Sequence, residues 1–583
     1  MLPPLYKMEN YTHCAVDSDN YYCFVQARLT VPSTNLNIIK LIKNSSLDIS
    51  RFDRNFIYRT LCIPKLFIEN KSKLYSYSST LVNQDIERFQ LSAQIEDATC
   101  KKIKLEMNVY DIICLAVLVF YNILVILATF KGKSYEKKNG LKCIISKLSL
   151  VHTWKLRSKV PDTRDFKNLR NMNGSRVLAM LFIIFIHLAI AYNTSFISKP
   201  EVYEHVYRTI LDNGLGCLPV LIVSYFFLVS SWLLTTQVYN IHEKGQLSFK
   251  NIGILIINRY FRLNFLIIVI LIISETSWST VITGPANFYP IIANQKACTE
   301  NWFPSIFLFT NFYRLVDICN AVTWHVSADF QLYIINLFIL YIKFKCNFND
   351  FKFCATILIF SIILHGITLH IYDAGPLYQP SLRYFEARSL YHSLKYVISY
   401  MSTPSLWSSS FIGVIFGIIY IRSRNISVKP NTGLNIVWFS ISIGLIYLSN
   451  QMGAINVNGI KASLLGSIIK PIFCIGCGLG VYGMSHNFGG PLKKLMESKL
   501  LVLLSNYLYG VYLIHMPCVI SMNRYFTEPV YIDFWKLLQD YIIGVIISFL
   551  VGIYITLTIE EPGNLLRKKI LPQINKWDIS KTN

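Results

Sequence analysis

The chain has 583 residues, of which 53% are hydrophobic and only 15% charged, too apolar a balance for a soluble protein of this length. A formal net charge of +23 would by itself fit a nucleic-acid partner, but the lysines and arginines fall in alternate loops between long apolar segments. That is the positive-inside pattern, and it makes the chain an all-α polytopic membrane protein with no nucleic-acid partner.

Residues 1–108 are mixed in polarity and form a small N-terminal domain. Cys14, Cys23, Cys62 and Cys100, with glycosylation sequons at Asn10, Asn44 and Asn70, suit an extracellular or lumenal compartment. The cysteine pairing stays open. The opening LPPLYKMENYTHC has neither a basic n-region nor an apolar h-region, so the domain is expected to be incomplete at its start. A cytosolic domain with free thiols and chance sequons is the alternative.

The first spanning segment is 109–130. The basic linker after it, 131–170, marks its side as cytosolic and the N-terminus as outside. Apolar segments follow near 175–195, 215–236, 256–276, 322–343, 352–371, 404–421, 433–450, 462–484, 499–520 and 538–559. With the first they make about eleven transmembrane helices, each about the length a bilayer needs. The membrane domain covers 171–562 and a cytosolic tail 563–583, in the plasma membrane or the endoplasmic reticulum. Lys343, Lys345, Arg422, Arg424, Lys493, Lys494 and Arg567 to Lys569 all fall inside under this count. The 277–321 loop falls outside, and its Cys298 and Cys319 are expected to form a disulfide. Cys474 and Cys477 form a CxxC within an apolar segment that has no second pair, which points to packing and not to a metal site.

Ionisable residues inside apolar segments are the candidates for chemistry. The stretch NMNGSRVLAMLFIIFIHLAIAY carries Arg176 near its start and His187 near its middle. Eleven steps of about 100° bring both to one helix face, about 16 Å apart along it. Arg259 and Arg262, at i, i+3 in INRYFRLN, enter from the same side as Arg176. Three guanidinium groups at one entrance suit a phosphorylated donor such as an acyl-CoA, although positive-inside anchoring explains the last two equally well. From the other side AVTWHVSADFQLY brings Trp324, Asp329, Gln331 and Tyr333, with Gln331 turned away from the Asp329–Tyr333 pair. An acid at that depth needs a partner. LLSNYLYGVYLIHMP brings Tyr512 and His515 on one face, and Glu560 ends the last segment where it can meet the arginines. If these helices converge, His187 is either a general base on an acceptor hydroxyl or a transient acyl carrier.

With those residues in view the chain resembles the acyltransferase-3 superfamily, in its animal branch related to the nose-resistant-to-fluoxetine protein. Asn173-Gly174-Ser175-Arg176 with His187 resembles the family's NGxR and its arginine, ten residues, histidine spacing. Arg259-Tyr260 with Arg262-Leu263 is similar to RYxRL, Trp324 with Asp329 and Gln331 to WYxxxDxQ, Leu504-Ser505 through His515 to LSxxTYxxYLxH, and Glu560 to Pro562 to ExP. The Cys298 and Cys319 loop, starting at Gly284-Pro285, also fits, and Cys62-Ile63-Pro64 resembles the branch's extracellular domain more weakly. The resemblance implies a ten-helix acyl-transfer core behind one preceding helix. It implies acyl-CoA as co-substrate with no permanently bound cofactor, and membrane lipid with a lipid or small-molecule acceptor as partners. It puts His187 and Arg176 at the chemistry, Arg259 and Arg262 at the donor, and Asp329, Gln331, Trp324, Tyr333, Tyr512, His515 and Glu560 on the acceptor side or in support.

Several positions depart from the family pattern. Ser224 stands for an aspartate and Ser231 for a glycine, His325 for a tyrosine, Asn264 for a proline, Leu508 for a threonine and Phe67 for a cysteine. The segment TPSLWSSSFIGVIFG lacks the arginine the family tends to place before it. A lost carboxylate and a lost guanidinium keep two alternatives to a transferase open, a non-enzymatic lipid or small-molecule transporter and a receptor-like protein.

Overall fold

A computed structural model describes residues 2–17, 19–31, 36–102, 107–136, 146–213, 215–277, 289–312, 318–379, 382, 393–426, 428–522 and 527–574. Gly284-Pro285, part of the basic linker and the last residues of the tail lie outside the described residues.

The N-terminal domain is a four-stranded sheet in the order β1-β3-β2-β4: β1 (Tyr6–Met8), β2 (Asn20–Thr30), β3 (Phe56–Pro64) and β4 (Ser92–Lys102). β1 runs parallel to β3, while β2 is antiparallel to both of its neighbours. Side chains alternate across a strand, and β2 uses both faces. Cys23, Val25, Ala27 and Leu29 pack with Leu74, Val82 and Ile86 of helix α2 (Lys71–Ile86), which follows α1 (Leu36–Leu47). Tyr22 and Phe24, on the other face, join the core of the helical bundle. Disulfides Cys14–Cys62 and Cys23–Cys100 close this domain, the second between directly opposed residues of β2 and β4. Phe67, standing where the family pattern has a cysteine, stacks on Tyr77 with ring centroids 4.0 Å apart.

The rest is helical. The spans are α3 (Val109–Glu136), α5 (Asn171–Asn193), α7 (Leu218–Glu243), α8 (Phe249–Glu275), α9 (Thr323–Lys345), α10 (Asp350–Ile371), α11 (Thr403–Ser423), α12 (Thr432–Ala454), α13 (Gly459–Ser485) and α16 (Phe534–Ile555). Short helices α4 (Leu150–Arg157) and α6 (Pro200–Asp212) flank α5. The expected segment 499–520 is two helices, α14 (Lys499–Ser505) and α15 (Leu508–Ser521), bent by 74°. Among the described residues ten helices are long and apolar enough to cross a membrane, eleven with that pair as one broken span. The protein is a multi-pass membrane protein, with the number of spans expected.

Two helices depart from regularity where side chains take over backbone bonds. The seventh span runs from Leu394 and breaks at Ser402, whose φ of −66° and ψ of 143° are extended. The last span loosens into a π-turn at Thr556–Glu560 before α17 (Glu561–Ile570). Such turns free carbonyls, and Thr558 O accepts from the Tyr121 hydroxyl of α3.

The sheet domain sits on the end of the bundle where α5 finishes. Phe196 packs on Tyr6 and Phe24 at centroid distances of 5.4 and 5.9 Å, and Phe52 stacks on Tyr203 of α6 at 6.3 Å. Arg54 bonds Glu204 at 3.0 Å and Glu201 at 3.2 Å, and the Phe52 N–H donates to Glu204. Arg208 pairs with Asp48. Partial burial of Asp48 opposes ionisation, but hydrogen bonds from Ser50 and the charges of Arg208 and Arg51 hold its carboxyl below the usual range. One continuous apolar core therefore runs from the sheet into the helix that carries His187.

Candidate functional site

Helix α5 is packed against α7, α13, α14, α15 and α16, so side chains from five helices can converge on it. Its start approaches its neighbour closely. A Cβ on Gly174 would lie 2.2 Å from the Met496 carbonyl oxygen, so only glycine fits there. The expected Cys298–Cys319 disulfide is formed, in the loop between α8 and α9.

The sequence places His187 and His515 in separate segments, and the structure joins them. His187 Nδ1 is 2.6 Å from His515 Nε2, with the rings stacked at 4.9 Å. His515 Nδ1 is in turn 2.6 Å from the Tyr512 carbonyl oxygen. A carbonyl only accepts, so in neutral rings His515 carries its proton on Nδ1 and its Nε2 accepts from His187 Nδ1–H. The lone pair left over is on His187 Nε2. That atom has no partner among the described residues, and the ring is only partly buried, whereas His515 is fully buried. α15 is held on its other side by α16, where Gly510 lies against the Gly552 carbonyl and a Cβ would meet it at 2.6 Å.

Beside this pair stands a wall of rings. His325 lies 5.2 Å from Tyr512 and 4.5 Å from Phe227, and Trp324 lies 5.0 Å from Tyr400. The Tyr512 hydroxyl donates to the Val322 carbonyl at 3.1 Å, which ties the turn below His515 to the start of α9.

The arginines divide in a way the sequence does not show. Arg259, expected at the donor entrance with the other two, is instead paired with Asp329, bonded to Ser230 Oγ at 3.0 Å, and stacked over the Tyr333 ring at 4.2 Å. α8 and α9 run in opposite directions, so residues some ten and six positions into each helix meet at one depth. Asp329 is thus the counter-charge of Arg259. Arg176 and Arg262 have no hydrogen-bonded or ion-paired partner among the described residues, yet each lies within electrostatic reach of the other. Arg262 is exposed and Arg176 half-buried.

Glu560 lies within electrostatic reach of Arg262, but its direct ion pair is with a fourth arginine. Arg157, at the end of α4, bonds Glu560 at 2.9 Å and Glu561 at 3.0 Å. Its Nε donates to the Asn506 carbonyl at 2.9 Å and its own carbonyl accepts from Asn506 Nδ2 at 2.9 Å. The bend between α14 and α15 is held by this clasp. In a run of lysines and arginines nothing marks Arg157 out, so sequence reasoning missed it. Gln331 faces away from Asp329 as expected and serves the scaffold, donating to Leu308 O at 2.9 Å and accepting from Thr403 at 2.6 Å. No group of three or more possible metal ligands occurs among the described residues, and Cys474 and Cys477 are free thiols in α13.

A family model described as an acyltransferase domain matches residues 169–559, more than half of the chain and every site residue above except Arg157, Glu560 and Glu561. The nose resistant to fluoxetine protein 6 of Caenorhabditis elegans is 21% identical over 321 residues, covering 52% of this chain and 38% of that relative's length. The chain therefore matches well under half of this curated relative. No solved structure matches.

Proposed function

The chain belongs to the acyltransferase-3 family, and from that premise we propose that it moves an acyl group from an acyl-CoA-type donor to a hydroxyl acceptor beside His187. The observation that carries this reading is the His187–His515 pair, whose hydrogen-bond order leaves His187 Nε2 as the unshared base. The acceptor O–H donates to that nitrogen. As its oxygen attacks the thioester carbonyl, Nε2 takes the proton, and the imidazolium is steadied by its Nδ1–H bond to His515. Collapse of the adduct breaks the C–S bond, and the proton passes from His187 to the departing thiolate. An ester and a free thiol result.

Arg176 and Arg262, two guanidinium groups with no directly bonded carboxylate among the described residues, suit the phosphates of the donor. Arg259 keeps to Asp329 and Ser230, where it braces α8 against α9. The acceptor lies along the rings of Tyr512, His325 and Trp324, and so has an apolar body, as a lipid or xenobiotic does.

The sheet side faces the extracellular space or the lumen. Three disulfides lie on that side, the charged ends carrying Lys343, Arg422 and Arg424 lie on the other, and Asn10, Asn44 and Asn70 are exposed on the sheet domain for glycosylation. A mobility shift on endoglycosidase treatment, lost when all three asparagines become glutamine, tests this orientation. No shift in the wild type would reverse it.

The test of the activity is reconstitution with acyl-labelled acyl-CoA and hydroxyl-bearing lipids. Label on an acceptor with wild type, and none with His187→Ala, is the expected result. A second reading, a carrier, draws on the helix breaks at Ser402 and Asn506, a device transport proteins use at binding sites. Labelled lipid that crosses the membrane unmodified in both proteins would favour it.

A further inference from the structure

A second ionisable pair lies on another side of the bundle, at the break in the seventh span. Lys470, in α13, is 1% exposed and has no carboxylate partner among the described residues. Its Nζ donates to the Ser399 carbonyl at 2.8 Å and to Ser405 Oγ at 3.2 Å, and lies 6.0 Å from the Tyr400 ring centroid. The break at Ser402 explains the first bond, since it leaves carbonyls at a helix C-terminus that an ammonium can satisfy, and it brings the Ser405 hydroxyl at the start of α11 beside it. An ammonium has three donors, so one remains. α10 packs on α13 at this level, a Cβ on Gly366 lying 3.5 Å from Ser467, and the adjacent His365, also 1% exposed, is within electrostatic reach of Lys470 with both ring nitrogens enclosed and without a partner.

A charge in a membrane bundle without a counter-charge, beside an imidazole with no hydrogen bond, is costly on both counts. One ligand group answers both. A carboxylate takes the remaining Lys470 N–H on one oxygen and a His365 N–H on the other, and supplies the missing negative charge. The outward face of α10, with Ile359, Phe360, Ile363, Ile367 and Ile371 exposed, puts this site one helix away from lipid. The body attached to the carboxylate is therefore apolar.

We propose that Lys470 and His365, at the break in the seventh span, form a binding site for the carboxylate of a fatty-acid-like amphiphile. The site does not depend on His187 and would stand if the chain transferred nothing.

The test is equilibrium binding to the full chain in nanodiscs, with three probes: radiolabelled oleate, its methyl ester and propionate. Wild type should hold oleate at least about tenfold more tightly than the methyl ester, the worth of one charge-assisted hydrogen bond. Lys470→Gln and His365→Phe should each abolish that preference, while Arg262→Gln, which removes an unpaired guanidinium at the other site, should leave it intact. Propionate should bind weakly, because it lacks the apolar body. Equal binding of oleate and methyl ester, or a preference that survives both variants, would overturn the proposal. So would propionate binding as tightly as oleate, which would mark a small-anion site, or a preference lost in Arg262→Gln. If Lys470→Gln fails to fold because the helix break loses its cap, His365→Phe decides alone, since it removes no hydrogen bond from the empty protein.

Discussion

Replacing His515 by leucine removes the acceptor of the His187 Nδ1–H bond while leaving His187 in place. The bond is 2.6 Å long, and between neutral rings His187 Nδ1–H donates to His515 Nε2. A neutral hydrogen bond contributes about 0.5–1.5 kcal/mol and one to a charged group about 1.5–3 kcal/mol. Only the difference, about 1–1.5 kcal/mol, is gained as His187 becomes an imidazolium, which is about tenfold in kcat. KM for the donor should hardly move, because Arg176 and Arg262 are untouched. His515→Gln places an amide oxygen near the former Nε2 and should recover most of the loss. The assay is steady-state acyl transfer in proteoliposomes with saturating acyl-CoA. Leucine and glutamine variants of equal rate, or a leucine variant as fast as wild type, would refute the assigned proton order.

Three further outcomes follow from the same geometry. Asp329→Asn and Arg259→Gln should each lower stability by about 1–3 kcal/mol, below the range for a fully enclosed pair, because the side chains keep 18% and 24% of their exposure. The double variant should cost less than the sum in thermal unfolding, and strict additivity would show that the two do not act as a pair. In the sheet domain partial burial of Asp85 opposes ionisation, but hydrogen bonds from Lys7 and Arg59 outweigh it and hold its carboxyl below the usual range. A depressed folded value means stability that is complete above the unfolded value near about 3.9 and is lost as pH falls through the folded one. Acid unfolding of this domain should therefore be shallower in Asp85→Asn, and an unchanged pH profile would exclude the ion pair as its cause. In the chain-entropy account, opening Cys23–Cys100, 77 residues apart, should cost about 4.5 kcal/mol and opening Cys298–Cys319, 21 apart, about 3.4. Paired Cys→Ser variants in chemical unfolding check the order, and a larger cost for the shorter loop would contradict it.

What the sequence revealed and what it hid divide along physical lines. Span number was legible because apolar length is a local property, and the Cys298–Cys319 link because two cysteines share one short loop. Arg176 and His187 were legible because charge in an apolar run has no local excuse. Partnership was not. Asp329 announces that it needs a counter-charge, but its answer, Arg259, is 70 residues away on an antiparallel helix, where depth depends on how two helices slide past each other. His187 and His515 are 328 residues apart, and no periodicity brings them to 2.6 Å. Arg157 was invisible for a different reason: in a basic loop a guanidinium that clasps two carboxylates looks like the anchoring charges around it. Lys470 carries a readable signal, a lone lysine amid SLLGSIIKPIFCIG, but the helix break that it caps, through a carbonyl 71 residues away, leaves no mark beside it.

The claim that this bundle transfers acyl groups, and does not merely carry lipids, is tested most directly by counting free thiol against labelled ester in one reconstituted preparation. One thiol released for each ester formed in wild type, and neither in His187→Ala, is the predicted result. Labelled lipid crossing the bilayer without thiol release, at the same rate in both proteins, would contradict it.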